Sequence, residues 1–293
     1  MNVLVTGAWK NADLKRIEDM GHNVLFMQNE KDDLPCDYSW VEGVIGNGLF
    51  LSHPIEKFVN LKYIQLTSAG FDRVPMEYVK AHNISIFNAR GVYSIPMAEH
   101  AVLGVLSIYR GAEKFSENRK IKRWEKQRDL LEIFGKSVLI IGCGNVGTEC
   151  AKRFRAFGAK ILGIDVKPYK NEFFDSMQGI EKLSENIKSA DIVIVCAALT
   201  EDSKGLVKPT QMKKDSVLVN ISRGAIIDTN DLLKADNLRG AVLDVFDEEP
   251  LNENSPIWEK ENFIVTPHNS FVGDGNEKRL NDVIFKNLEA YKS

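Results

Sequence analysis

The residues with the clearest chemical potential form a glycine-rich turn: Gly142, Cys143, Gly144, Asn145, Val146 and Gly147. The first glycine permits a tight turn, the second lets a pyrophosphate approach bare backbone, and the third lets a helix pack against a strand. Asp165 stands 18 residues after Gly147, where a carboxylate can accept hydrogen bonds from both ribose hydroxyls of an adenosine. This spacing predicts a dinucleotide site.

Three later segments carry ionisable side chains, and each lies at or beyond the end of an apolar run. They are Asn220–Gly224, Leu243–Pro250 and Thr266–Ser270. Open α/β sheets bind their ligands at the carboxyl ends of their strands. These three segments are therefore candidates for the chemistry that accompanies a bound dinucleotide.

The glycine turn needs a strand before it and a helix after it. Val138–Ile141 is a continuous apolar run, typical of a strand buried on both faces. Apolar residues then recur at helical spacing until Gly158, and Lys160–Ile164 starts a second strand. The pattern predicts a βαβ unit. Further runs predict a continuing parallel sheet with right-handed crossovers: Asp191–Ala197, Ser216–Ser222, Ala241–Val245 and Phe263–Thr266.

Residues 2–90 alternate short apolar runs with amphipathic ones, which predicts a smaller α/β domain. Two glycine turns interrupt it, at Gly46–Gly48 and at Ser68–Asp72. The second turn directly follows a strand, so it could expose N–H groups to an anion such as a carboxylate, or could simply reverse the chain. From Gly275 onward the spacing predicts an amphipathic terminal helix that returns to this first domain.

The composition excludes several classes of protein. The chain has 293 residues, enough for two domains, and a net charge of −3, which provides no basic field for nucleic acid or an anionic membrane. Its 4 cysteines lie far apart and suggest neither a disulfide framework nor a metal cage. The N-terminus lacks a signal-peptide pattern. We expect a cytoplasmic protein without a metal.

Six motifs occur in a characteristic order: SAGFD, the GxGxxG unit, Ala198-Leu199-Thr200, SRG, DVFDEEP and TPH. With them the sequence resembles the D-isomer-specific 2-hydroxyacid dehydrogenase family, whose members include phosphoglycerate, glyoxylate and D-lactate dehydrogenase-like enzymes. The resemblance implies a Rossmann-type doubly wound parallel sheet, residues 98–267, inserted into a smaller flavodoxin-like substrate domain formed by residues 1–97 and 268–293. It also implies reversible reduction of a small 2-keto acid by NADH.

The resemblance assigns roles residue by residue. Arg223 would clamp the substrate carboxylate with its flat, permanently charged fork, and Ala69 and Gly70 would add backbone donors. His268 would deliver the proton to the keto oxygen, and Glu249 would orient the imidazole and favour its protonated form. The implied cofactor contacts, besides the glycine turn and Asp165, are Ala198, Thr200, Ile221 and Asp244, the last through the nicotinamide carboxamide.

Some features depart from the family pattern or leave alternatives open. The Asn47-Gly48 loop lacks the arginine with which phosphoglycerate-type members bind phosphate, and Ala198 replaces a usual proline. Lys167 could pair with a 2′-phosphate, which leaves NADPH open beside NADH. The rival functions are a non-catalytic, NAD-sensing corepressor-like protein and a formate dehydrogenase-like enzyme, although the chain's length favours neither.

The segment Pro96–Tyr109 is apolar on nearly all sides, which is typical of a helix between domains or subunits. The charged segment that follows, Glu113–Arg128, predicts an exposed helix and loop arm around Trp124. So much apolar surface predicts a homodimer formed by the dinucleotide domains.

Overall fold

The computed structural model describes residues 1–291 of the chain. The chain divides into two compact units, one formed by Met1–Tyr93 with the segment from Gly273 onward, the other by Ser94–Val272. We call them unit 1 and unit 2. None of the helices in residues 1–291 is both long and apolar enough to cross a membrane.

The strands and helices follow one another along the chain as in an α/β protein. The strands are β1 (Asn2–Thr6), β2 (Asn23–Met27), β3 (Gly43–Gly46), β4 (Tyr63–Leu66), β5 (Ser85–Phe87), β6 (Ser137–Ile141), β7 (Lys160–Ile164), β8 (Ser176–Gln178), β9 (Ile192–Val195), β10 (Ser216–Asn220), β11 (Leu238–Leu243) and β12 (Phe263–Val265). The helices are α1 (Asn11–Asp19), α2 (Met76–Ala81), α3 (Ser94–Arg110), α4 (Ala112–Lys120), α5 (Asn145–Ala156), α6 (Leu183–Asn186), α7 (Thr229–Leu233) and α8 (Asn276–Ala290).

Unit 1 contains a five-stranded sheet in the order β2-β1-β3-β4-β5. Every strand pair is parallel, and this order is that of flavodoxin-like folds. The terminal helix α8 buries Ile284, Phe285 and Leu288 in a cluster with Val3 and Tyr63 of the sheet. Burial of each such side chain stabilises the unit by roughly 1.5–3 kcal/mol. The end of the chain therefore belongs to the unit in which the chain begins.

Unit 2 contains a seven-stranded parallel sheet in the order β12-β11-β10-β9-β6-β7-β8. The chain starts at β6, adds β7 and β8 on one side, and then crosses to β9 on the other. This reversal makes the sheet doubly wound, and the crevice at the carboxyl ends of β6 and β9 is the topological switch point where such sheets bind ligands. The sequence analysis missed β8, because it has only three residues and no apolar run.

The junctions between the units fall at Tyr93/Ser94 and Val272/Gly273, whereas the sequence had suggested residues 97 and 267. The first junction is earlier because α3 begins at Ser94. The second is later because Asn269 and Ser270 donate backbone hydrogen bonds to the Asp244 carboxylate, at 2.8 and 2.9 Å. Residues 268–272 are thereby held in unit 2.

Helix α3 is buried on one face only in the described chain, although its sequence is apolar on nearly all sides. One face, with Ala98, Ala101 and Val105, is buried in the core of unit 2, whereas Leu103 is 63% exposed. Gly104 brings the helix close to the sheet, because a Cβ at this position would lie 2.5 Å from Cγ2 of Val242 in β11. The helix therefore packs at a distance that only glycine allows.

We expect Gly104→Ala to lower the thermal unfolding midpoint, because the added methyl overpacks against Val242 at a cost of about 1–3 kcal/mol, more than the gain of up to about 1 kcal/mol in helix propensity. Val242→Ala removes the opposing methyls, so Gly104→Ala should be less harmful in that background. Equal effects of Gly104→Ala in both backgrounds would contradict this packing.

Candidate functional site

The glycine turn between β6 and α5 has the geometry that a dinucleotide requires. Gly142 has a φ of +90°, and a Cβ there would lie 2.5 Å from the backbone of Ala197. A Cβ on Gly147 would lie 2.2 Å from the carbonyl oxygen of Gly142. At Gly144, in contrast, nothing lies within 4 Å of an added Cβ. Two glycines thus permit close packing, and the middle one faces the open space that a pyrophosphate would need.

The N-terminus of α5 faces the same space. Gly144 is the N-cap residue, and no side chain caps the helix there. The first N–H groups of a helix are unpaired within it and carry partial positive charge, which favours a phosphate. Gly144 and Asn145 are exposed, and Val146 is half-buried. The residues present therefore fit the phosphates of a dinucleotide.

Asp165, directly after β7, is fixed to the glycine turn. Its Oδ2 accepts a hydrogen bond from the Cys143 backbone N–H at 2.9 Å, and its Oδ1 accepts one from the Lys167 backbone N–H at 3.0 Å. Each oxygen keeps a lone pair. The half-buried carboxylate can therefore accept hydrogen bonds from two ribose hydroxyls without giving up its own contacts.

Tyr169 is a neighbour of the turn that the sequence analysis did not identify. Its hydroxyl donates to the Cys143 carbonyl oxygen at 2.6 Å, and the side chain is 47% exposed. Burial and the nearby charge of Asp165 raise the pKa of the Cys143 thiol to about 12. Cys143 therefore stays protonated and packs as an apolar side chain, whereas Tyr169 lies at the surface beside the glycine turn.

The other predicted cofactor contacts have structural roles in the described chain. Ile221 is 1% exposed and belongs to the core of unit 2. Thr200 and Ser203 form a reciprocal cap on the turn Glu201–Ser203, and the Ala198 carbonyl oxygen accepts a hydrogen bond from the Ser203 hydroxyl at 3.0 Å. Ala198 and Thr200 are exposed. Their contacts with a cofactor stay predictions.

His268 and Glu249 lie together although 19 residues separate them in the chain. The His268 Nδ1 is 2.7 Å from the Glu249 Oε2. Because a carboxylate can only accept, Nδ1 is the donor and Nε2 is left for other partners. The Glu249 Oε1 also accepts the Phe246 backbone N–H at 3.1 Å, which holds the loop that carries it. The imidazole is thus fixed in orientation and tautomer, and its side chain remains 40% exposed.

The Asp244 side chain, at the end of β11, holds the segment that carries His268. It is 0% exposed, and it accepts hydrogen bonds from the Thr266 hydroxyl at 2.6 Å and from the Asn269 and Ser270 N–H groups. The Thr266 hydroxyl also lies 3.3 Å from Nε2 of His100 on α3. The role implied by the resemblance, a bond to the nicotinamide carboxamide, stays a prediction. In the described chain Asp244 holds the segment that carries His268.

The turn that carries Arg223 packs tightly on the Glu249 loop. A Cβ at Gly224 would lie 1.9 Å from the carbonyl carbon of Phe246, so only glycine allows this approach. Asn220 supports the turn from below, because its amide donates to the Arg223 carbonyl oxygen at 3.0 Å and its Oδ1 accepts the Ser222 N–H at 3.1 Å. The backbones that carry Arg223 and Glu249 are thereby held in contact.

Ala69 and Gly70 lie in unit 1, in the turn after β4. The Ala69 carbonyl oxygen accepts a hydrogen bond from the Asn88 amide at 2.6 Å, and the Gly70 carbonyl oxygen accepts one from the Ser68 hydroxyl at 3.1 Å. The turn is therefore held through its carbonyl groups. That Ala69 and Gly70 bind a substrate carboxylate through their N–H groups stays a prediction.

Comparison with known proteins identifies relatives of this chain. Residues 102–270 match the family described as D-isomer specific 2-hydroxyacid dehydrogenase, NAD binding domain. A D-3-phosphoglycerate dehydrogenase of Methanocaldococcus jannaschii is 31% identical over 245 residues, which are 80% of this chain and 46% of that protein. The chain thus spans about half the length of that relative.

Two further relatives cover more of their own length. A glyoxylate reductase of Thermofilum pendens is 29% identical over 79% of this chain and 72% of that protein. The crystal structure of a D-isomer specific 2-hydroxyacid dehydrogenase family protein from Aeromonas salmonicida has a TM-score of 0.84 at 25% identity, over 98% of this chain and 94% of that chain.

The family match covers more than half of the 293 residues and falls on the unit whose glycine turn and strand-end carboxylate fit a dinucleotide. This protein therefore belongs to the D-isomer specific 2-hydroxyacid dehydrogenase family, a family of NAD-dependent enzymes, and carries the family's NAD binding domain in residues 102–270.

Proposed function

We propose that this protein reduces a short 2-keto acid to the D-2-hydroxy acid with NADH, reversibly. The observation that carries the proposal is the His268–Glu249 pair, with Nδ1 and Oε2 2.7 Å apart, at the carboxyl edge of the NAD-binding sheet. An imidazole held by a carboxylate through one nitrogen presents the other nitrogen to a reacting group. This is the arrangement that proton delivery to a keto oxygen requires.

The bound cofactor supplies the hydride. His268 holds the proton on Nε2 and transfers it to the keto oxygen as negative charge develops there. Glu249 stabilises the imidazolium and keeps the ring in place, since its other oxygen is bound to the Phe246 N–H. Asp244 fixes the backbone that follows His268 through the N–H groups of Asn269 and Ser270.

Arg223 would bind the substrate carboxylate in a two-pronged, charge-assisted interaction and polarise the neighbouring carbonyl. Ala69 and Gly70 would contribute backbone N–H donors to the same carboxylate. The packing of Gly224 against Phe246 supports this assignment, because it holds the backbone that carries Arg223 against the loop that carries Glu249. Such rigid placement is what allows two reactants to be aligned.

The rival functions predict different results in one assay. An NAD-sensing protein would bind NADH without turning over keto acids, and a formate dehydrogenase-like enzyme would oxidise formate and leave keto acids unchanged. Nothing described in the site favours either rival over keto-acid reduction. The cytoplasmic location expected from the sequence stays a prediction.

We expect His268→Ala to lower kcat for keto-acid reduction by about 10²–10⁴-fold, because the proton donor is lost, with NADH binding nearly unchanged. Glu249→Gln should be milder, since an amide oxygen can still accept a hydrogen bond from Nδ1 and hold the ring in place. Steady-state kinetics and NADH fluorescence titration measure both. His82→Ala, at an exposed histidine in unit 1, is the control. A His268→Ala enzyme with nearly wild-type kcat would refute the mechanism.

We expect NADH to give a higher kcat/KM than NADPH, because the Asp165 carboxylate would repel a 2′-phosphate. Asp165→Asn should narrow this preference by about tenfold or more, since a like-charge repulsion at short range is removed. Asp175→Asn is a matched control, because Asp175 also accepts a backbone N–H, from Ile161 at 2.7 Å. Wild-type activity with NADPH that equals or exceeds activity with NADH would reject the assignment and point to Lys167.

We also propose that unit 2 forms a symmetric dimer. Three apolar side chains of α3 and the arm that follows α4 are strongly exposed: Leu103 at 63%, Ile121 at 67% and Trp124 at 97%. Light scattering at micromolar concentration should give twice the chain mass of 33.0 kDa. Trp124→Asp should shift the protein toward monomer. A wild-type mass of one chain would overturn the proposal.

A further inference from the structure

The turn that follows β3 in unit 1 is filled by a carboxylate of the chain itself. The Glu30 Oε1 accepts the Asn47 N–H at 2.7 Å, and its Oε2 accepts the Gly48 N–H at 2.7 Å. The Thr6 hydroxyl donates to Oε1 at 2.6 Å. The N–H groups of this turn therefore bind an anion, and that anion is the Glu30 side chain.

Glu30 connects the ends of three neighbouring strands. It follows β2, Thr6 is the last residue of β1, and Gly46 is the last residue of β3. A Cβ at Gly46 would lie 2.2 Å from the Thr6 Oγ1 and 2.8 Å from the Glu30 Oε1. The glycine therefore makes room for the carboxylate, and the half-buried Glu30 side chain is an integral part of this edge of the sheet.

This turn is adjacent to the turn to which the proposed function assigns the substrate carboxylate. Strands β3 and β4 pair in register, with Gly46 opposite Leu66, and Ala69 and Gly70 come just after β4. Neighbouring strands lie about 4.8 Å apart. If the carboxylate of a short keto acid binds at Ala69 and Gly70, the opposite end of the molecule would therefore be close enough to Glu30 for their charges to interact.

The surroundings of Glu30 are rich in acceptors and negative charge. Residues 29–33, NEKDD, carry three carboxylates and one lysine. The Oδ1 of Asn47 is buried and has no hydrogen-bond partner among the described residues. A bound phosphate needs hydrogen-bond donors and positive charge around it. The repulsion between two like charges about 7 Å apart near a protein surface weakens the binding of a charged ligand by more than about tenfold.

We propose that Glu30 determines substrate specificity: it occupies the anion-binding turn of unit 1 and thereby excludes 2-keto acids that carry a phosphate or a second carboxylate. Acids with an uncharged end, including a hydroxyl, are accepted. The proposal rests on the proposed function. One cation could instead attract a charged substrate: the exposed Arg73 side chain lies beside this turn, with its Cδ 3.7 Å from the position of a Cβ on Gly48. Arg73 therefore enters the test.

The test compares matched pairs of keto acids in steady-state kinetics with NADH: hydroxypyruvate against its 3-phosphate, and 2-oxopentanoate against 2-oxoglutarate. The wild-type enzyme should prefer the uncharged member of each pair by about tenfold or more in kcat/KM. Glu30→Gln keeps the size of the side chain but removes its charge, and should shrink both ratios at least about fivefold, mainly through KM. Glu30→Asp keeps the charge and should keep the preference.

Glu42→Gln is the matched control. Glu42 also accepts a backbone N–H, from Asn2 at 2.9 Å, and it pairs with the Lys62 Nζ at 3.1 Å. It lies directly before β3, however, at the amino ends of the strands and away from the turn that Glu30 fills. Glu42→Gln removes one negative charge from unit 1, as Glu30→Gln does, and should leave the kcat/KM ratios of both pairs of keto acids unchanged. Thermal unfolding midpoints of all variants report whether they fold.

The outcomes separate this proposal from the proposed function. Equal wild-type turnover of both members of each pair overturns the role of Glu30, whether or not the variants fold. Ratios that stay constant in Glu30→Gln but change in Arg73→Gln assign the selectivity to Arg73 and also overturn it. No turnover of any keto acid, with NADH bound, rejects the proposed function instead.

Discussion

The rest of the site depends on the hydrogen bonds that the buried Asp244 carboxylate accepts. It is 0% exposed, and a charge buried this way must be fully hydrogen-bonded to be tolerated. Its side chain binds Thr266, Asn269 and Ser270, while its backbone carbonyl accepts the His268 N–H at 2.8 Å. His268 has a φ of +51°, uncommon for a residue other than glycine. The bonds on both sides of it hold that conformation.

The same device recurs at other strand ends. Carboxylates accept backbone N–H groups of neighbouring turns: Asp165 from Cys143, Glu249 from Phe246, and Glu30 from Asn47 and Gly48. Charge-assisted hydrogen bonds of this kind are stronger than neutral ones, so a single carboxylate side chain can order a loop. These acidic residues therefore hold the loops at the carboxyl ends of the strands in both units.

Close backbone approaches complete the arrangement in unit 2. Gly147 allows α5 to pack on the glycine turn, and Gly224 allows the Arg223 turn to touch the backbone that leads to Glu249. Glycine is needed where a Cβ would meet backbone atoms that cannot move aside. Gly144 differs, because its free side opens to space. Packing thus distinguishes the glycines with a structural role from Gly144, which faces open space.

Local patterns in the sequence determined the strands other than β8, the βαβ unit and the positions of Gly142, Gly144 and Gly147, because each of these depends on periodicity or on a turn within a few residues. The family motifs pointed to His268 and Glu249, which the structure brings together. Only the tertiary structure decided what Asp244 holds and that Glu30 fills the turn at Asn47. Both depend on contacts between distant residues, and no local pattern specifies which donor a carboxylate will meet once the strands are side by side.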